Sequence, residues 1–329
     1  MLYRKAQERS RLALPLIKPT PFFIRNEMDS FLQELNPSTA LNSERYGVKH
    51  MFHVERMRRE HFPFAVQLAN TMDWNMAESD FEFNANLEPD GCFVLFQARD
   101  PVGIATCISY GTTGWFGNLA VKEEHRKAGA GTTLVKHALE YLTRKGVETI
   151  GLYAYNHLVG FYEKLGFKPQ GDFVILSGKQ LTCKPQGTAL KSSKKDIPAL
   201  IDFDRRCFGW ERKKLLELLL LAEENLSYLS IHNSKIVGFA VAKVYDAMAE
   251  IGPVICGPEQ SDVAVDLLRT MLDILRNRSV YVYLPDEAEC LLTTLLDVGF
   301  KEKFRVKRMF LGPPIAQSCV YLPESLERG

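Results

Sequence analysis

The sequence predicts an α/β chain of the α+β kind, built twice to one plan, and three observations carry that expectation. Strand-like and helix-like periodicities alternate from about Gly47 to Leu311. The order helix, helix, three strands, helix, strand, helix, strand occurs once before and once after a break at 179–195. That break holds five lysines among Gly, Pro and Ser, the composition of a linker or exposed hairpin. The expected organisation is an N-terminal extension (1–45), a first domain (46–178), the linker (179–195), a second domain (196–312) and a C-terminal tail (313–329).

In the first repeat, Val48 to Val54 reads as a strand and Arg56 to Thr71 as an amphipathic helix. A turn at Asp73, Trp74 and Asn75 leads to a second short helix ending near Asn86. Cys92 to Ala98, Gly103 to Tyr110 and Trp115 to Val121 are strands, punctuated by Asp100-Pro101 and Gly111. Leu134, Val135, Ala138, Leu139 and Leu142 fall on one stripe of a helix that ends near Gly146. A strand from Thr149 to Tyr155, a helix with Leu158, Phe161 and Leu165 on one face, and a strand from Phe173 to Leu176 close the repeat. The second repeat has helices at 196–204 and 211–223, then strands at 227–231, 236–244 and 250–256. A helix from Val263 to Leu275, a strand from Val280 to Leu284, a helix from Asp286 to Val298 and a strand from Arg305 to Leu311 complete it.

Composition narrows the function. With 41 basic against 40 acidic side chains, nothing global draws the chain to nucleic acid or an anionic membrane. The lysines of 179–195 have no interleaved aromatics, so no nucleic-acid partner is expected. The longest apolar run, Leu215 to Ala222, is broken by Glu217 and falls far short of the ~20 residues of a membrane helix. Seven cysteines are scattered singly with no metal-ligand spacing, so no metal is expected, and a reducing compartment fits better than a disulfide scaffold. The expected setting is cytoplasmic. Six basic residues against one acid in Met1 to Asn26 leave a mitochondrial transit segment as the alternative to a surface arm.

The chemistry concentrates between Trp115 and Phe167. Arg126, Lys127, Ala128, Gly129, Ala130, Gly131 and Thr132 lie between the strand ending at Val121 and the next helix. Glycine lets a backbone turn tightly, and a helix N-terminus offers unpaired N–H groups with a positive dipole end. The stretch lacks the Gly-Lys-Ser/Thr of a nucleotide P-loop and the third glycine of a dinucleotide fingerprint. An ordinary helix start and a diphosphate socket both fit the residues.

Here the chain resembles the GCN5-related N-acetyltransferase (GNAT) superfamily. Leu119-Ala120-Val121 is followed by Arg126-x-x-Gly129-x-Gly131, then Asn156, Tyr162 and Gly166-Phe167, in the family's order. The second half resembles a degenerate domain of the same superfamily through Asp204, Phe208-Gly209, Arg212, Gly238 and Ile251-Gly252-Pro253. Its loop, Gly257 to Asp262, has no basic residue and two acids, so no coenzyme A turnover is expected there.

The resemblance implies two tandem domains, each a mixed, mostly antiparallel sheet flanked by helices. It also implies an N-acyltransferase that moves an acyl group from acetyl-CoA, or another acyl-CoA, to a small-molecule or protein amine. Backbone groups of Leu119, Ala120 and Val121 would pair with pantetheine, residues 126–132 would hold the pyrophosphate, and Asn156 would touch pantetheine. Tyr162 would protonate the departing thiolate. Plain packing for Tyr162 and a helix cap for Asn156 stay open. Asp73, Trp74 and Asn118 are the candidate acceptor-site residues. Asn118 stands where some relatives carry an acid, which leaves the general base to a water relay or a carboxylate of the 73–75 turn. The alternative function is a non-catalytic acyl-CoA-binding or scaffold protein, and a homodimer is left open.

Overall fold

The computed structural model describes residues 52–179, 183–185, 187–313, 315 and 319–329. The predicted N-terminal extension and the start of the first predicted strand lie outside them. The described chain divides into two compact bodies, 52–151 with 310–313, and 152–309 with 315 and 319–329.

The first body runs β1 (Phe52–Arg56), α1 (Phe62–Asn70), α2 (Glu78–Leu87), β2 (Cys92–Gln97), β3 (Asp100–Tyr110), β4 (Thr113–Val121), α3 (Ala130–Arg144) and the start of β5 (Thr149–Tyr155). The helix predicted from Arg56 to Thr71 is a 3-10 turn at Arg59–His61 followed by α1. Pro63 explains the break: it lacks an N–H and clashes with the preceding turn, so it sits in a first helical turn rather than an interior. Antiparallel pairings join β1 to β2, β2 to β3 and β3 to β4. β4 and β5 run parallel, which needs a long crossover, and α3 is that crossover. The predicted apolar stripe of α3, Leu134 to Leu142, is wholly buried. Each such leucine contributes about 1.5–3 kcal/mol on leaving water.

The second body holds the end of β5, α4 (Val159–Glu163), β6 (Lys168–Lys179), β7 (Leu190–Lys191), α5 (Ile197–Phe208), α6 (Lys213–Leu221), β8 (Leu226–His232), β9 (Lys235–Val244), β10 (Met248–Cys256), α7 (Ser261–Ile274), β11 (Ser279–Pro285), α8 (Glu289–Asp297), β12 (Lys301–Leu311) and β13 (Val320–Leu322). The last two residues of β12 belong to the first body. β8, β9 and β10 pair antiparallel, and β10 pairs parallel with β11 across α7. α7 and α8 cover this sheet with Leu267, Leu268, Met271, Leu291 and Leu295.

Three further sequence expectations change. The strand placed at Phe173–Leu176 spans twelve residues, and it pairs antiparallel with β11 of the second repeat, from Phe173↔Pro285 to Lys179↔Ser279. The helix carrying Leu158, Phe161 and Leu165 is only five residues long and buries Tyr162 in place of Phe161. Finally, β13 and the residues after it, read as a plain tail, are buried from Tyr321 to Gly329.

Candidate active site

In the first body the site is built on β4 and the turn that follows it. Gly117 pairs with Thr106 and Ala120 with Ile104, so Asn118 and Leu119 together oppose Ala105 alone. This is a β-bulge, and Asn118 takes the left-handed conformation with φ 51°. The strict alternation of a regular strand therefore fails along Trp115–Val121. Trp115, Gly117 and Ala120 share one face, while Phe116 and Val121 share the other. Asn118 is buried, and its Nδ2 donates to Thr106 Oγ1 at 3.1 Å, which pins the bulge.

After Val121 the chain makes a 3-10 turn at Glu123–His125 and enters α3 through two left-handed residues, Lys127 (φ 63°) and Gly129 (φ 91°). Gly129 is the residue capping α3 and brings no capping side chain. The N–H groups of Ala130, Gly131 and Thr132 belong to the first turn, where no helical carbonyl reaches them. A Cβ placed on Gly129 would meet nothing within 4 Å, so the bend faces open space. Residues 126–129 are exposed, Gly131 and Thr132 are half-buried, and Ala130 is buried. Uncapped amides, a positive dipole end and open space suit an anion of phosphate type. Lys127 is exposed at the bend. Arg126 is turned back: its Nε donates to the Val121 carbonyl at 2.9 Å and its Nη2 lies 3.4 Å from Met72 Sδ.

Sequence reasoning missed Glu88, which steadies this helix. Its buried carboxylate accepts from Tyr141 Oη at 2.5 Å and Ser109 N at 3.1 Å, and pairs with Lys145 Nζ at 2.7 Å. The end of α2, strand β3 and the last turns of α3 are thus tied to one group. Nothing in the local sequence around Glu88 signals this, because its partners lie 21 to 57 residues away.

The 73–75 turn is closed by Asn70, whose amide side chain donates to Met76 O at 3.0 Å and accepts from Met76 N at 2.7 Å. Asp73 (φ 57°) is exposed on this turn, whereas Trp74 is buried.

In the second body, Tyr162 is buried with its ring against Phe161 (5.0 Å) and Phe167 (5.8 Å). Burial pushes its phenol well above the ordinary value of 10.0. Asn156 is exposed and lies inside a 3-10 turn, Asn156–Leu158, whose cap is Tyr155, so it is not the cap residue.

The second repeat reproduces the bulge. Ile251 pairs with Ala242 and Val254 with Ala240, leaving Gly252 and Pro253 opposite Val241 alone. Its turn into α7 passes Glu259 (φ 61°) and is capped by Gln260.

A bulged strand, a parallel neighbour reached through one helix, and a turn feeding that helix, all present twice, fit a tandem acetyltransferase-type chain. Residues 54–167 match the acetyltransferase (GNAT) family and residues 200–322 the acetyltransferase (GNAT) domain, so the chain belongs to the GNAT superfamily as a tandem of two such domains. It is similar to the uncharacterized N-acetyltransferase YitH of Bacillus subtilis (strain 168), with 22% identity over 251 residues, 74% of this chain and 86% of that protein. Among solved structures it resembles a protein of Pyrococcus horikoshii that bears the name of an acetyltransferase, with TM-score 0.73 and 21% identity over 88% of this chain and 100% of the other. It also resembles a tandem GNAT protein from the clavulanic acid biosynthesis pathway, with TM-score 0.58 and 12% identity, covering 80% of this chain and 100% of the other. At these identities the structures speak for the fold. Among the described residues, no cluster of three or more His, Cys, Asp or Glu could hold a metal, and no helix is long and apolar enough to cross a membrane.

Proposed function

We propose that the chain is a coenzyme A-dependent N-acyltransferase, with acetyl-CoA the first donor to test, whose first domain is catalytic and whose second is structural or shapes the acceptor site. The observation that supports this reading most is the Gly129 bend: left-handed, open, uncapped, and directly after a bulged strand in a GNAT domain. In this reading the amides of Ala130, Gly131 and Thr132, with Lys127, hold the donor's pyrophosphate. Arg126 serves by fixing the end of β4 through Val121, and its charge stays near the bend. The bulge takes Asn118 and Leu119 out of the ladder and offers Leu119, Ala120 and Val121 as a track for the pantetheine arm.

The amine attacks the thioester carbon as the neutral base, so the C–N bond forms while the C–S bond breaks. Tyr162 gives its proton to the departing thiolate; the raised phenol pKa keeps that proton in place at neutral pH. Asp73, exposed on its turn, is the carboxylate proposed to take the amine's proton, directly or through water. Asn118 is committed to Thr106 and acts by holding the strand. Asn156 is the polar group proposed to meet the pantetheine amide. We place the protein in the cytoplasm, in keeping with seven free cysteines.

A screen of amine acceptors with acetyl-CoA and longer acyl-CoAs, read by free thiol release, tests this reading. Thiol release that depends on both acceptor and Tyr162 supports it. Tight coenzyme binding with no transfer to any amine returns the chain to the binding or scaffold role.

A further inference from the structure

The counterpart of the pantetheine track in the second repeat is filled by protein. β10 and β11 are parallel partners from Met248↔Ser279 to Ile251↔Val282, and there their pairing ends. β10 continues to Cys256 with β13 at its side, through Val254↔Leu322, Ile255↔Tyr321 and Cys256↔Val320. At the bulge the fit is close: a Cβ on Gly252 would stand 2.0 Å from the Pro323 carbonyl oxygen.

The segment after β13 carries charges matched to the walls. Glu324 pairs with Lys243 at 2.5 Å and with Arg328 Nε at 2.9 Å, while Lys243 also pairs with Glu250 at 2.8 Å. Glu250 in turn accepts from Tyr283 Oη at 2.7 Å. Arg212, bound to Asp204 at 2.7 Å, donates to the Gly329 carbonyl at 3.2 Å. Leu326 packs among Phe173, Ile175, Tyr283, Phe304 and Val306. Burial opposes the charge on Glu324, yet Arg328 and Lys243 hold its carboxyl well below the usual range.

We propose that this slot is a peptide-binding cleft, that its ligand is an extended strand followed by a charged turn, and that segment 319–329 of the same chain is its resident occupant. Strand addition to β10 gives the backbone grip, and the Lys243–Glu324 pair with the Leu326 pocket gives selectivity. Three features argue against coenzyme A as the alternative ligand. Pro253, in the place of Leu119, has no N–H to offer. The turn 257–262 carries Glu259 and Asp262 with no lysine or arginine. The slot's own charges are already answered by the peptide. The claim stands apart from catalysis in the first domain.

The test inserts a protease site between Gly312 and Cys319 in the full-length chain. After cleavage, fragment 319–329 should stay with the body through size-exclusion chromatography, and an excess of synthetic 319–329 peptide should displace it. The same peptide with Glu324→Lys should compete at least about tenfold less well, the loss of a buried pair. Millimolar coenzyme A should not displace the fragment. Prompt loss of the fragment from a folded body, equal competition by a scrambled peptide, or displacement by coenzyme A would each overturn the proposal. Hydrogen exchange on the uncut chain covers the case in which cleavage unfolds the body. Amides of Tyr321 and Leu322 should exchange at least about 100-fold more slowly than in free peptide, and exchange at free-peptide rates overturns it.

Discussion

β4 and β10 break register in the same manner, two residues against one, yet the side chains at and after the two bulges differ. β4 has Asn118 and Leu119 at the bulge and leads to a turn with Arg126, Lys127 and a left-handed Gly129. β10 has Gly252 and Pro253 at the bulge and leads to a turn with Glu259 and Asp262. One turn is fit to receive an anion; the other repels one. The lesson is that the scaffold's irregularity is retained in both copies, while a few side chains at the bulge and the next turn decide what each copy receives.

The largest expected effect probes the two turns directly. Gly129→Asp should weaken acyl-CoA binding by at least about 100-fold, because a carboxylate then faces the pyrophosphate where charge-assisted contacts are made. Gly257→Asp should leave affinity unchanged by titration calorimetry; a Cβ there meets only Gln260 Cγ at 3.5 Å and Val237 O at 3.8 Å. Equal losses from both would erase the distinction drawn here.

Next comes Tyr162→Phe, expected to lower kcat by about 100-fold, within the usual reach of general acid catalysis, with the donor's Kd unchanged. Phe161 and Phe167 still pack the ring, so the variant should fold. The phenol is a competent acid only while protonated, and burial raises its pKa. The wild-type kcat should therefore show no phenol-dependent fall as pH rises toward 10.0, the ordinary value. Wild-type kcat retained in Tyr162→Phe contradicts the assignment, whereas a descending limb at pH 8 that vanishes in the variant keeps the acid role and contradicts the raised pKa.

Smaller effects separate the two bulges. Gly252→Ala drives a methyl into the Pro323 carbonyl and should cost about 1–3 kcal/mol, the range for overpacking, read as a lower Tm with donor affinity intact. Asn118→Ala removes one buried hydrogen bond and leaves alanine at φ 51°, a conformation asparagine tolerates better, so it should cost about 1–3 kcal/mol. If Gly252→Ala leaves Tm unchanged, the close fit at Gly252 has been overrated.

The stripe of α3, the order of elements and the Gly129 turn were legible because each is a local pattern: period, punctuation, a glycine before a helix. Tyr162 stood out as a residue type in a motif, but the sequence favoured Phe161 for the apolar face, since a five-residue helix is too short to show its phase. The bulge at Asn118 was invisible, as strict alternation is the default and only the partner strand reveals the slip. Glu88 and the Lys243–Glu324 pair join residues far apart in the chain, and periodicity carries no record of such partners. Segment 319–329 was missed because three strand residues followed by Pro, Glu and Ser give no repeat to count.

The pairing of β6 with β11 bears on how such a chain is dissected. Seven consecutive residue pairs join a strand of the first repeat to a strand of the second. Scission within 179–195 would send these two strands into different pieces, each with a bare hydrogen-bonding edge of the sort that seeds aggregation. Co-expressed pieces, re-annealing along that seam, are the form in which the halves should be purified.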